Sequence, residues 1–153
     1  MKIAFYAPLK SPNHPTPSGD RTISRLLVQT LELLGYNVEI ISELRSYISN
    51  PINFNKIKQK SSIEIDLIYK KYLFNPPDIM LTYHSYYKSP DLIGPIIAKK
   101  LNIPYIIIEA SYASKRDADE WKETSYHTKK AIRLANVIIS LNKVDNLSIK
   151  KIL

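Results

Sequence analysis

The chain contains no cysteine. That excludes a disulfide scaffold, a thiolate zinc site and a cysteine nucleophile, and it fits a reducing compartment. Glycine is almost as scarce, with 3 residues in 153. Neither G-x-G-x-x-G nor G-x-x-x-x-G-K-S/T occurs, so an ordinary dinucleotide fingerprint and a P-loop are both missing. No apolar run approaches the roughly 18 residues that a membrane-spanning helix needs. The opening Met1-Lys2-Ile3-Ala4-Phe5-Tyr6 is basic and then apolar, but Pro8 and Lys10 interrupt it. It lacks the small-residue cleavage site of a signal peptide and reads as a strand. No H-E-x-x-H or other close histidine spacing occurs among His14, His84 and His127, so no metal site is expected.

Negative charge is the scarcer sign, with 14 Asp and Glu against 22 Lys and Arg, a net +8. The basic residues are mostly lysines in scattered pairs and triplets, such as Lys56/Lys58/Lys60, Lys99/Lys100 and Lys150/Lys151. No arginine-rich segment or nucleic-acid motif organises them, so nucleic acid is not an expected partner and the balance reads first as a soluble surface. Hydrophobic residues at 44% and charged residues at 24% are ordinary for a globular chain of one domain.

What is present is alternation. Short apolar β-type runs are expected over Lys2 to Ala7, Asn37 to Ser42, Asp78 to Tyr83, Pro104 to Glu109 and Asn136 to Leu141. Helical spacing falls between them, over Ser18 to Leu34, Phe54 to Tyr72, Asp91 to Leu101, Asp117 to Ala135 and Asn142 to Leu153. In the first helix, Ile23, Leu26, Leu27, Leu31 and Leu34 share one face, Ser18 is the expected N-cap and Gly35 the stop. Trp121 is expected in the core or an interface. This order predicts an α/β fold, a Rossmann-like open parallel sheet of about five or more strands with helices on both faces.

In such sheets ligands bind outside the carboxyl ends of the strands. Three loops lie there. The first, Ala7 to Asp20, holds Pro8, Pro12, Pro15 and Pro17, and ends in Ser18-Gly19-Asp20-Arg21. Gly19 at the helix N-terminus fits an anion such as phosphate, or merely the start of a helix. The second, Tyr83-His84-Ser85-Tyr86-Tyr87-Lys88, offers a histidine suited to hydrogen bonding or proton transfer, among tyrosines able to stack on a sugar or a base. The third runs from Glu109 through Ser111 to Lys115 and Arg116. A carboxylate closing an apolar strand needs partners, which Lys115 or Arg116 could supply. Glu109 then reads as a hydroxyl ligand or base with Lys115 and Arg116 on phosphate, or the three read as an ion pair tying down a loop.

Taken together, the chain resembles the amino-terminal domain of a GT-B glycosyltransferase, in the large group called family 4 or group 1. The resemblance rests on Lys2-Ile3-Ala4-Phe5-Tyr6-Ala7-Pro8, Ser18-Gly19-Asp20-Arg21, Leu33-Leu34-Gly35-Tyr36-Asn37-Val38 and Pro77-Asp78-Ile79-Met80-Leu81-Thr82-Tyr83-His84. It continues through Leu101-Asn102-Ile103-Pro104-Tyr105 and Ala135-Asn136-Val137-Ile138-Ile139-Ser140-Leu141-Asn142, covering essentially the whole chain. It implies a two-domain enzyme whose amino-terminal domain holds the acceptor, while the other domain holds most of a nucleotide-sugar that is substrate rather than cofactor. It places Gly19 near the donor phosphates, and His84 and the Glu109 segment on the acceptor side. Many relatives carry histidine near the end of strand four, where this chain has Glu109-Ala110.

The resemblance also implies a donor domain that would follow Leu153. The expectation is therefore the acceptor half of an enzyme, inactive alone, belonging to a longer protein or paired with a donor-domain subunit. The acceptor is expected to be a sugar or a lipid-linked molecule, with the basic surface helping at the inner face of a membrane and the chain otherwise cytoplasmic. The contrasting expectation is a non-catalytic binding or interaction module on the same fold.

Overall fold

The computed structural model describes residues 1–153. Five strands alternate with five helices: β1 (Lys2–Tyr6), α1 (Gly19–Leu33), β2 (Asn37–Ser42), α2 (Phe54–Tyr72), β3 (Ile79–Ser85), α3 (Gly94–Leu101), β4 (Tyr105–Ala110), α4 (Lys122–Leu134), β5 (Val137–Ile139) and α5 (Lys143–Lys150). All neighbouring strands pair in parallel, in the order β2-β1-β3-β4-β5. This is the expected α/β class, an open five-stranded parallel sheet flanked by helices. The strand order reverses between β1 and β3, and a crevice opens at their carboxyl ends where the two connections leave in opposite directions.

The central strands are buried on both faces, which is why they read as continuous apolar runs. On one face Met80, Tyr105 and Ile107 pack with Ile68 and Tyr72 of α2, Ile97 of α3 and Ile132 of α4. Ile149 of α5 joins the same cluster. On the other face Ile3, Phe5, Leu81 and Tyr83 pack against Leu27, Val28 and Leu31 of α1. Each fully buried isoleucine, such as Ile107, contributes about 1.5–3 kcal/mol relative to an exposed one.

The ends of α1 follow from its sequence. The Arg21 N–H donates to Ser18 Oγ at 3.2 Å, and Gly35 turns the chain with φ 85°. The Tyr36 N–H then reaches Leu31 O and the Gly35 N–H reaches Glu32 O, closing the helix in a Schellman motif. The expected apolar face is only partly used. Leu27 and Leu31 pack on the sheet, but Ile23, Leu26 and Leu34 stay exposed because α1 alone covers this face.

Two boundaries move for local reasons. The third helix begins at Gly94, not Asp91, because the Asp91 carboxylate sits ahead of it and caps it. Asp91 Oδ1 accepts from the N–H groups of Ile93 (2.9 Å) and Gly94 (2.7 Å), while Oδ2 accepts from Thr82 Oγ1 (2.5 Å) and the Tyr105 hydroxyl (2.6 Å). Burial still pushes this carboxyl above its ordinary value. Gly94 has no spare room there, since a Cβ would lie 2.3 Å from Asp91 Oδ2.

The fourth helix begins at Lys122, not Asp117, because Asp119 holds the turn before it and Asp117 ties that loop to the side of the helix. Asp117 accepts from the Tyr112 hydroxyl, Ser125 Oγ (2.7 Å) and Lys129 Nζ (3.2 Å). Asp119 accepts from the Trp121 N–H and from Arg116, both at 2.8 Å. Trp121 is buried with Ile48, Phe54 and Leu92, a core position as expected.

Candidate functional site

The proline-rich loop after β1 is held rather than loose. The Arg25 Nε–H donates to Pro12 O (2.6 Å), the Arg45 Nε–H to Leu9 O (2.9 Å) and the Ser46 N–H to Pro8 O (2.9 Å). The loop delivers Ser18 as the cap of α1 and Gly19 as its first residue. A Cβ at Gly19 would meet nothing within 4 Å, so the helix start faces open space.

The next residue, Asp20, links this turn to β3. Its Oδ1 lies 2.6 Å from Nδ1 of His84, across the crevice between β1 and β3. His84 sits within β3 rather than after it, and its backbone is left-handed, with φ 58°. Glu109, within β4, is left-handed as well, with φ 60°. The β3–β4 ladder pairs Tyr83 with Ile108 and then Ser85 with Ala110, so it steps over both residues at once. Two non-glycine residues thus stand side by side at the sheet's carboxyl edge in a conformation that costs roughly 1–2 kcal/mol each. Backbone strain of this kind concentrates at ligand and catalytic sites.

The surroundings are aromatic and acidic. The Tyr83 and Tyr86 rings lie 5.8 and 5.3 Å from the His84 ring. Burial first, and then the Glu109 carboxylate, push the Tyr83 phenol well above its ordinary value. Burial likewise pushes Tyr86 up to about 12. Both phenols are therefore neutral hydrogen-bonding groups around a half-buried imidazole and a half-buried carboxylate.

The predicted site residues separate into three places. Ser18, Gly19 and Arg21 form the start of α1, joined to His84 through Asp20; the Arg21 Nε is buried without a partner. His84 and Glu109 meet at the edge of β3 and β4. Ser111 and Lys115 lie further along, in a cleft against α5. Arg116 belongs to none of these, because it pairs with Asp119 at 2.8 Å and lies 4.6 Å over the Tyr87 ring. The ion pair foreseen between Glu109 and Lys115 or Arg116 does not form. Sequence reasoning assigned Asp20 no role, while it named the tyrosines around His84 as stacking groups. Asp20 had a readable signal, an acidic residue in the first turn of a helix at the ligand edge.

No protein-family model matches the chain, and no curated protein matches it. Three solved structures align with 99% of it. One is the response regulator protein TrrA from Thermotoga maritima, at 16% identity and TM-score 0.41 over 98% of that chain. Another is UDP-GlcNAc 2-epimerase from Methanocaldococcus jannaschii, at 14% identity and TM-score 0.49, with 42% of that chain covered. The third is a conserved protein from Enterococcus faecalis V583, at 17% identity and TM-score 0.44 over 98% of that chain. At these identities the likeness is one of fold class.

Proposed function

We propose that the chain is the acceptor-binding half of a glycosyltransferase, which moves a sugar from a nucleotide-sugar onto a hydroxyl of the acceptor. The observation that carries this reading is the pair of left-handed residues, His84 and Glu109, set side by side where β3 and β4 end. The family resemblance of the sequence supports it. An imidazole and a carboxylate within an aromatic rim suit the hydroxyls and flat faces of a sugar. Asp20 on Nδ1 orients His84 and leaves Nε2 to accept a hydrogen bond from an acceptor hydroxyl. Open space at Gly19, at the positive end of α1, suits donor phosphates brought by a second domain or subunit.

The test is made on the protein purified from its source cells, with any donor domain or subunit it carries. Labelled sugar should pass from a nucleotide-sugar to an acceptor fraction of those cells. His84→Ala should reduce transfer by about 100-fold or more if His84 handles the acceptor proton. No transfer from any nucleotide-sugar, or full transfer in the His84 variant, would reject the reading.

A further inference from the structure

The loop after β4 and helix α5 form a second cleft, of about 500 Å³, whose lining includes neither His84 nor Glu109. Its apolar lining is Tyr112, Ala113, Val144 and Ile152, of which Tyr112 and Ile152 are buried and Val144 is exposed. Its polar lining consists of the hydroxyls of Ser111, Ser114 and Ser148 and the ammonium groups of Lys115 and Lys151, with one carboxylate, Asp145. The charges are not balanced from within. Asp145 Oδ2 accepts from the neutral Asn142 side-chain amide and keeps its charge, so the lining carries two positive charges against one negative. Asp117, on the same loop, is already held by Lys129, and Asp119 by Arg116. Neither Lys115 nor Lys151 enters any of the chain's ion pairs.

Two lysines outside the ion pairs against one carboxylate, with three serines and an apolar lining, suit an anion joined to an apolar body. Lysine serves a phosphate as a point charge, and serine hydroxyls fill its remaining acceptor sites. We infer that this cleft binds a phosphate ester, with the phosphate on Lys115 and Lys151 and its organic part over Tyr112, Val144 and Ile152. Only the identification of that ester as the acceptor rests on the function proposed above; the binding site itself does not.

The experiment is a calorimetric titration of the chain with octyl phosphate, with octyl glucoside as the phosphate-free control. Octyl phosphate should bind with one-to-one stoichiometry and octyl glucoside should not. Lys115→Ala and Lys151→Ala should each weaken binding at least about tenfold, the loss of one charge-assisted hydrogen bond. Both lysines are exposed, so both variants should fold. Lys60→Ala, an exposed lysine on α2, should change nothing. Inorganic phosphate competing with octyl phosphate would support the site and point to a soluble ester. Phosphatidate vesicles competing where inorganic phosphate fails would support it and point to a lipid. Absence of octyl phosphate binding, equal loss in Lys60→Ala, or no loss in the double lysine variant would overturn the inference. None of these readings depends on His84 or Glu109, so failure here leaves the transfer experiment to be judged separately.

Discussion

Glu109→Gly should do what a glycine in a strand normally does not, and hold the fold better than Glu109→Ala. In an extended strand, glycine costs roughly 0.5–1 kcal/mol relative to alanine, because it loses more backbone freedom on folding. At Glu109 the native φ is 60°, a region where a Cβ costs roughly 1–2 kcal/mol and glycine costs nothing. Glutamate carries that cost in the wild type, and alanine inherits it. The difference between the two effects leaves glycine ahead of alanine by about 0–1.5 kcal/mol. For a chain of this size that is a rise in Tm of up to about 5 °C. No ion pair is lost in either variant, since Glu109 has none. Urea and thermal unfolding followed by circular dichroism would measure the order directly. Val137, an exposed strand residue without positive φ, provides the control, and there alanine should stand above glycine. If alanine exceeds glycine by 0.5 kcal/mol or so at Glu109 as well, the strand is not strained there, and the main structural ground for the site is gone.

Gly94→Ala should cost about 1–3 kcal/mol, because its Cβ would press into the Asp91, Thr82 and Tyr105 hydrogen-bond cluster; a Tm within a degree of wild type would show that the cluster yields freely. Gly19→Trp should leave Tm unchanged, since nothing lies near its Cβ, while stopping sugar transfer by the native enzyme; retained turnover would remove donor phosphates from this helix end. Burial works against charge at Asp117, but hydrogen bonds from Tyr112 and Ser125 and the Lys129 ammonium outweigh it and hold the carboxyl below its ordinary value. Its folded value lies below the unfolded one, so its stabilisation is fully present above the unfolded value, about 4, and is lost as pH falls from there through the folded value. The protection factors of amides in residues 111–121, taken against intrinsic exchange at each pH, should therefore fall on acidification in the wild type and change less with pH in Asp117→Asn.

The sheet was legible because its physics is local. A parallel strand buried on both faces must be apolar at every position, and Pro104 to Ile108 can be read that way without knowing its neighbours. Helix ends are local too, so Ser18 and Gly35 announced themselves. The site was legible only in outline, because its decisive features are properties of pairs. Nothing in Tyr83-His84-Ser85 or Ile108-Glu109-Ala110 prescribes a left-handed residue; no glycine or asparagine marks either place. The conformation exists because β3 and β4 skip a residue at the same level, and that coincidence belongs to the ladder. Asp20 and His84 are 64 residues apart and meet because the strand order reverses between β1 and β3. The Glu109 ion pair, one of two readings of that loop, is absent for a local reason. Arg116 pairs with Asp119, three residues on and nearer in sequence than Glu109, and Tyr87 takes its other face. Glu109 is thereby left without a cation, a strained and half-buried carboxylate in a structure that supplies ion pairs elsewhere. A fold under selection for stability alone would have placed glycine at that position. That glutamate stands there instead is the reason to look for a ligand that uses it.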